Sequence, residues 1–444
     1  MLSKEKTDFG QECMKVVVIG NGIAGFSAAS TIKLLNDQCD VTIVSAEKIP
    51  LYSACVLPDY ISGKIRREET FVKTDRDYRQ LGIHTLFGHE VKEIDPRGKT
   101  VTLDDGMTLP FDRLILATGS NAIVPGEQKK GIFKLKTLKD ADEILHYSGK
   151  KAVVVGSGAI GIEIAIALYC RGYEVTIIEM LDRILPLGLD QKGADKVRSI
   201  LEENRIGVLN GERGERVVGK DRVEGLTTNK RELECDTLVW AVGMRPQVEL
   251  AKLVGIEIGD KGGIRVDSRM ETSISGIYAC GDCVESHDIL TGEPYLNLFW
   301  HNANRQGVVA AHNCLGGTKE YPGSQNILNV DVFGNHVAGF GFTEEALLRF
   351  RDIPAFKGKL SDLSIIEREQ NGRYYRLVVV GDRCMGGQFI NITRDVGLLW
   401  STMVQGRSIT GMLRMFDNEE LMCRRPWLHR VRPFFKPNYL NKKQ

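Results

Sequence analysis

Val16-Val17-Val18-Ile19-Gly20-Asn21-Gly22-Ile23-Ala24-Gly25 decides the fold of this chain. Four consecutive apolar residues read as a buried strand, and G-x-G-x-x-G follows at once. A helical run of small and apolar residues, Phe26 to Leu35, comes next. A second strand, Val41-Thr42-Ile43-Val44, leads to an acid, Glu47. In this strand–turn–helix–strand setting each glycine has a different task. Gly20 makes the tight turn, Gly22 lets backbone approach a pyrophosphate, and Gly25 lets helix and strand pack closely. The helix N-terminus adds unpaired N–H groups and partial positive charge. Glu47 stands a little further on than the usual ribose-binding acid, and is the candidate acceptor for a ribose hydroxyl.

Working outward, the same grammar recurs. Ala152-Val153-Val154-Val155 is followed by Gly156-Ser157-Gly158-Ala159-Ile160-Gly161, then Glu163 and a helix to about Arg171. Val175-Thr176-Ile177-Ile178 ends at Glu179, at the spacing expected of a ribose-binding acid. A carboxylate there accepts from a ribose diol and repels a 2′-phosphate, which favours NAD(H) over NADP(H). Arg183 is near enough to matter, although its place in Leu181-Asp182-Arg183-Ile184-Leu185-Pro186 suggests a structural task. Two dinucleotide units in one chain allow one cofactor to stay bound while the other visits, with two electrons passing between their rings.

At 444 residues the chain exceeds one ordinary core, so two or three domains are expected. A net charge of +1 gives no general affinity for nucleic acid or anionic membranes. No apolar run is long enough to span a bilayer. Residues Met1 to Met14 carry no apolar segment of the secretory type, so a cytoplasmic location is expected. The ten cysteines are scattered, as expected of reduced and mostly buried thiols.

Cys55-Val56-Leu57-Pro58-Asp59-Tyr60 is similar to the C-G-x-P-Y-Y context of a redox cysteine. With the two fingerprints, it makes the chain resemble the pyridine nucleotide–disulfide oxidoreductases over roughly residues 15 to 415. The nearest branch is that of coenzyme A-disulfide reductases, NADH oxidases and rubredoxin reductases. Val56 and Asp59 depart from its glycine and tyrosine. Cys55 is either a redox sulfur beside a flavin or a thiol packed into a flavin-facing loop. A helix starting near Pro58 would favour the thiolate through its dipole, and Asp59 would oppose it. Ile23 and Ala24 occupy the turn where peroxidases of this branch place a histidine, which argues against peroxidase activity.

The resemblance implies FAD and NAD(H) as cofactors. It implies an α/β architecture of two Rossmann-like dinucleotide-binding domains, the FAD domain split around the NAD domain, plus a C-terminal α+β dimerisation-type domain. The expected boundaries are 1–121 and 247–321 for the FAD domain, 122–246 for the NAD(H) domain, 322–415 for the interface domain and 416–444 for a basic aromatic arm. Beside Gly20, Gly22, Gly25 and Glu47, the FAD set would include the backbone of Val91, Thr118 and Gly119 in Ala117-Thr118-Gly119, and Asp282 in Cys280-Gly281-Asp282-Cys283. Gly281-Asp282 would follow a strand and start a helix. The NAD set would be Gly156, Gly158, Gly161, Glu163 bordering the nicotinamide, Glu179 and Gly243. Cys280 and Cys283 read as structural thiols rather than a second redox pair, and no second C-x-x-C completes a zinc site. An Ala-rich helix, Val308 to Cys314, would point at the flavin, with His301 a possible acid–base group or a packed histidine.

Short strands follow in Val330–Phe333, Val337–Gly341, Ile365–Arg368 and Tyr374–Val380, then a helix around Val396 to Arg414. The last stretch, Cys423 to Pro437, is basic, aromatic and proline-rich, with Trp427 and Phe434 as candidate anchors on a neighbouring subunit. These features together favour an electron-transfer flavoprotein subunit working with an iron–sulfur or rubredoxin-like partner, as homodimer or hetero-oligomer. The alternative is an NADH-dependent disulfide reductase or NADH oxidase using Cys55. A flavin-bearing scaffold without turnover ranks third.

Overall fold

The computed structural model describes residues 13–126, 128–296, 298–350 and 360–412. The first fingerprint strand, Lys15–Ile19, is central in a five-stranded parallel sheet. Its neighbours are Asp40–Ser45 and then Ile83–Phe87 on one side, Arg113–Leu116 and then Ile277–Ala279 on the other. Strands covered on both faces read as unbroken apolar runs, which is why Val16 to Ile19 shows no alternation. On one face the helix Ile23–Leu35 packs against Trp300–Cys314. They approach so closely that a Cβ on Gly307 would lie 2.3 Å from the Ala24 carbonyl oxygen. The other face is capped by an antiparallel three-stranded sheet, Val91–Asp95, Thr100–Leu103 and Thr108–Pro110.

The second fingerprint strand, Lys151–Val155, lies in another five-stranded parallel sheet. Glu174–Glu179 and Gly207–Asn210 flank it on one side, Thr237–Trp240 and Ile132–Lys134 on the other. The chain crosses between the two sheets twice. Both crossings run side by side as an antiparallel pair, Ser120–Ala122 with Met244–Pro246. The strand Ile277–Ala279 then rejoins the first sheet.

The third unit is an antiparallel sheet of Ile327–Val332, Asn335–Gly341, Arg383–Ile390, Arg373–Val380 and Leu363–Gln370, in that spatial order. It is tied to the second unit by ion pairs. Arg376 reaches across to Asp190 at 2.7 Å, and within its own unit to Glu367 at 2.9 Å and Glu344 at 2.5 Å. Arg183 reaches Glu345 at 2.5 Å, and Lys192 and Lys196 pair with Glu367 and Glu369. Tyr374 and Tyr375 are both buried in the sheet.

Two elements differ from the sequence expectation. After Asp282 the chain enters a strand, Val284–His287, instead of a helix. The β-branched Val284 and Glu285 pair with Ile264–Arg265, and the Glu285 carboxylate accepts the Lys261 amide at 2.6 Å, which holds the backbone extended. The late helix spans Val396–Val404 and stops there because Gly406 turns left-handed, at φ +59°, and donates to the Met403 carbonyl at 2.9 Å. Arg414, and the arm with Trp427 and Phe434, lie outside the described residues. Among the described residues no helix is long and apolar enough to cross a membrane.

Candidate functional site

The fingerprint glycines separate by what surrounds them. Gly20 has φ +111°, and a Cβ there would lie 2.1 Å from the Ala117 carbonyl oxygen. A Cβ on Gly25 would lie 2.0 Å from the Gly20 carbonyl oxygen. A Cβ on Gly22 would meet nothing within 4 Å. The second motif repeats the pattern: Gly156 at φ +101° and 2.4 Å from Ala241 O, Gly161 at 2.0 Å from Gly156 O, Gly158 open. Gly22 and Gly158 are also the helix N-caps, and neither cap makes a side-chain hydrogen bond to the helix N–H groups. The chain therefore has two backbone-lined cradles with donors facing outward, which fit the pyrophosphates of FAD and of a nicotinamide dinucleotide.

The strand-end acids are not equivalent. Glu179 is buried, and its carboxylate accepts from Ser157 N–H at 2.9 Å, Ser157 Oγ at 2.6 Å and Leu181 N–H at 2.9 Å. It is thus fixed at the mouth of the second cradle. Val155 pairs with Ile178 as Ile19 pairs with Val44, so the position matching Glu179 in the first unit is Ser45. Glu47 stands two residues beyond. Tyr52 donates to it at 3.0 Å and accepts from Leu138 N–H at 3.1 Å. Burial raises the Glu47 carboxyl above its ordinary range. Arg183 is turned away from Glu179: its Nε donates to the Leu189 carbonyl at 3.2 Å, and its other nitrogens reach Asp182 and Glu345.

Around the first cradle, Val91 is buried at the start of its strand. Thr118 donates to the Gln247 carbonyl at 2.7 Å, and Gly119 takes φ +75°. Gly243, at φ +108°, lies in the opposite crossing segment. Asp282 accepts from Ser120 Oγ at 2.9 Å and from Lys136 Nζ at 2.8 Å. Neither Lys136 nor Ser120 was anticipated. Lys136 precedes the helix Leu138–His146 of the second unit, and only the fold brings it to Asp282.

Cys55 sits in a single 3₁₀ turn, Ala54–Val56, directly before the short helix Leu57–Ser62. Its surface is reached by solvent, yet protein walls surround it. Desolvation by those walls pushes the thiol above its ordinary value, and Glu163 adds to the rise. A hydrogen bond from Ser53 and the charge of Lys136 oppose it, and Asp282 acts weakly with Glu163. The lowering expected from a helix start is outweighed, because a helix of six residues has a small dipole while desolvation acts on the sulfur directly. Asp59 pairs with Lys64 at 3.3 Å. It bears on Glu163 instead, whose carboxyl is pushed up to about 8 by burial first and Asp59 second. Glu163 is thus protonated at neutral pH.

The remaining candidates take quieter places. Cys280 and Cys283 are buried, with the Cys283 thiol donating to the Cys280 carbonyl at 3.3 Å. His301 stacks on Phe299 at 5.8 Å, and burial lowers it to about 4, so it is neutral in ordinary buffers. Its helix starts at Trp300, eight residues before the Ala-rich stretch.

Comparison with known proteins agrees with this geometry. Residues 14–307 match the family model described as pyridine nucleotide-disulphide oxidoreductase. An NADH oxidase of Methanocaldococcus jannaschii is 36% identical over 84% of this chain and 88% of its own length. A nitrite reductase [NAD(P)H] of Bacillus subtilis is 31% identical over 88% of this chain, which spans 47% of that longer protein. The solved structure of an NAD-dependent persulfide reductase from A. fulgidus superposes with a TM-score of 0.83 at 31% identity, covering 90% of this chain and 79% of that one. Two Rossmann-like units with glycine turns, the family match and these relatives lead to one conclusion: the chain belongs to the pyridine nucleotide-disulphide oxidoreductase family and is an FAD-dependent NAD(P)H oxidoreductase.

Proposed function

We propose that this enzyme uses NADH to reduce a small sulfur–sulfur bond, a disulfide or persulfide, through Cys55. The carrying observation is the Cys55 sulfur, open to solvent at the start of the helix Leu57–Ser62 in a chain that carries both dinucleotide fingerprints. FAD would be held by Gly20, Gly22, Gly25, Val91, Thr118, Gly119 and Asp282, with Glu47 at its edge. NAD(H) would be held by Gly156, Gly158, Gly161, Glu179 and Gly243, with Glu163 beside the nicotinamide. The fixed Glu179 carboxylate favours a ribose diol over a 2′-phosphate. Bound FAD supplies the two-electron relay between NADH and sulfur.

The protein's part is to ionise, orient and protonate. The Cys55 thiolate attacks one sulfur of the substrate, forming a mixed disulfide and expelling a thiolate. Protonated Glu163 would give that thiolate its proton. Two electrons that originate in NADH then break the mixed disulfide, returning Cys55 as thiolate and releasing the second half of the substrate. The balance is one disulfide, one NADH and one proton to two thiols and NAD+. The persulfide reductase likeness supports this reading.

The second reading keeps the FAD and NADH sites but passes electrons to an iron–sulfur or rubredoxin-like protein. Its support is the match to half of a nitrite reductase, together with Val56 and Asp59 in the cysteine motif. Cys55→Ser separates the two. On the first reading, disulfide-dependent NADH oxidation falls by at least about 100-fold while NADH-to-dye activity persists. Retention of disulfide reduction by the variant overturns it.

A further inference from the structure

We propose that the segment carrying Cys55 is docked as part of the second unit, and that Asp142 is the positioning residue that holds it there. This rests on the reading of Cys55 as the reacting sulfur. By chain order the segment belongs to the first unit, and its base is anchored in that unit. Leu51 N–H donates to the buried Tyr78 hydroxyl at 3.0 Å. Tyr52 pairs with Phe71 across the neck of the excursion, and Ser53 N–H donates to the Thr70 carbonyl at 2.9 Å. Beyond the neck the contacts change owner. Leu57 and Ile61, both fully buried on the helix Leu57–Ser62, share one hydrophobic core with Leu138, Ala141 and Ile144 of the helix Leu138–His146 and with Ile164 of the second fingerprint helix.

Polar ties fasten the same excursion to the helix Leu138–His146. Tyr52 OH accepts from the Leu138 N–H at 3.1 Å, and Tyr60 OH donates to Asp142 Oδ1 at 2.8 Å. Arg67 Nη2 donates to Asp142 Oδ2 at 3.0 Å, with its Nε 3.2 Å from both carboxylate oxygens. Tyr60 and Arg67 thus converge on one carboxylate, whose side chain is 26% exposed. Cys55 stands between the Tyr52 tie and the Tyr60 tie in sequence. Apolar burial seats the helix Leu57–Ser62 but is non-directional. The charge-assisted bonds to Asp142 are directional and fix how the helix is seated. The sulfur therefore travels with the second unit, while the first cradle belongs to the first. A misplacement of about 1 Å at a reacting centre costs on the order of 100-fold in rate, so the joint at Asp142 bears on turnover as well as on stability.

The test compares wild type, Asp142→Ala and Tyr60→Phe as FAD-loaded enzymes. Hydrogen–deuterium exchange is followed in peptides covering 52–71, with the helix Ile23–Leu35 as internal reference. Turnover is measured with a small disulfide and with a dye as acceptors. Asp142→Ala is expected to speed exchange in 52–71 about ten-fold and leave the reference helix unchanged. Its kcat with the disulfide should fall about ten-fold with KM unchanged, while NADH-to-dye kcat stays within about two-fold. Tyr60→Phe removes a single hydroxyl and should move both readouts the same way by a smaller factor; it carries the comparison should Asp142→Ala fail to fold. Exchange in 52–71 that matches wild type overturns the proposal. So does a disulfide kcat that is unchanged or falls only in step with dye turnover. Should Cys55→Ser still reduce disulfides, the functional reading fails instead, and the exchange data decide separately whether Asp142 holds the segment.

Discussion

At the residue scale, six glycines share one motif letter and three different constraints. Gly25 and Gly161 are closed positions, where any side chain strikes a carbonyl oxygen at 2.0 Å. Gly22 and Gly158 are open positions, where a methyl group meets nothing of the protein within 4 Å and would intrude on the proposed phosphate sites. Gly25→Ala should therefore destabilise the protein by about 3 kcal/mol through overpacking, seen in denaturant unfolding. Gly22→Ala should leave the flavin-free protein within about 0.5 kcal/mol of wild type, and weaken FAD binding at least ten-fold, about 1.4 kcal/mol. Equal effects in both assays would contradict the assignment. The tight turn and the close packing were legible in the sequence because the motif states them in order. Lys136 was not legible, since its meaning comes from Asp282, far along the chain. Nor was the raised Cys55 thiol, because a helix start is local and the walls that desolvate the sulfur are not.

At the element scale, the helix Ala159–Cys170 carries Glu163 between units. The groups that act on it come from the first unit, Asp59 and Lys64, and from the strand Ile327–Val332 of the third, Asp331. Its folded pKa, about 8, lies above that of an ordinary carboxyl. The folded state thus binds more protons than the unfolded state between the two values, and stability falls as pH rises through that window. Glu163→Gln removes this loss. Its advantage in thermal midpoint over wild type should grow from pH 5 to pH 8 and level off above; a gap independent of pH would contradict a buried neutral carboxyl. The motif located the helix and the glutamate, but its charge state depends on neighbours from two other units. Strand and helix boundaries show the same division. The fingerprint strands were readable from their apolar runs, whereas Val284–His287 is a strand because Ile264–Arg265 and Pro294–Tyr295 lie beside it to pair with.

At the scale of the molecule, the third unit presses on the second through Arg376, which meets three carboxylates while only 19% exposed. Asp190, Glu344 and Glu367 would be left facing one another without it. Arg376→Met should cost about 3 kcal/mol of unfolding free energy and raise the rate of proteolysis between the units, whereas Lys64→Met, at the exposed Asp59 pair, should cost well under about 1 kcal/mol. Equal costs would show that the network does not join the units. The split of the first unit around the second was visible in the order of the motifs, because one Rossmann fingerprint precedes the other and a return segment follows both. The ionic seam was invisible, being built from scattered charges with no period.

On the proposed function, electrons from NADH reach the Cys55 sulfur. The most direct test is an anaerobic NADH titration of the FAD-loaded enzyme after a small disulfide has been added to form the Cys55 mixed disulfide and the excess removed, with Cys55 alkylation counted before and after. Uptake beyond the two electrons of the flavin is expected, with a Cys55 that becomes alkylatable only after reduction. Uptake of two electrons, with Cys55 equally alkylatable throughout, would contradict it and send the electrons to a protein partner instead.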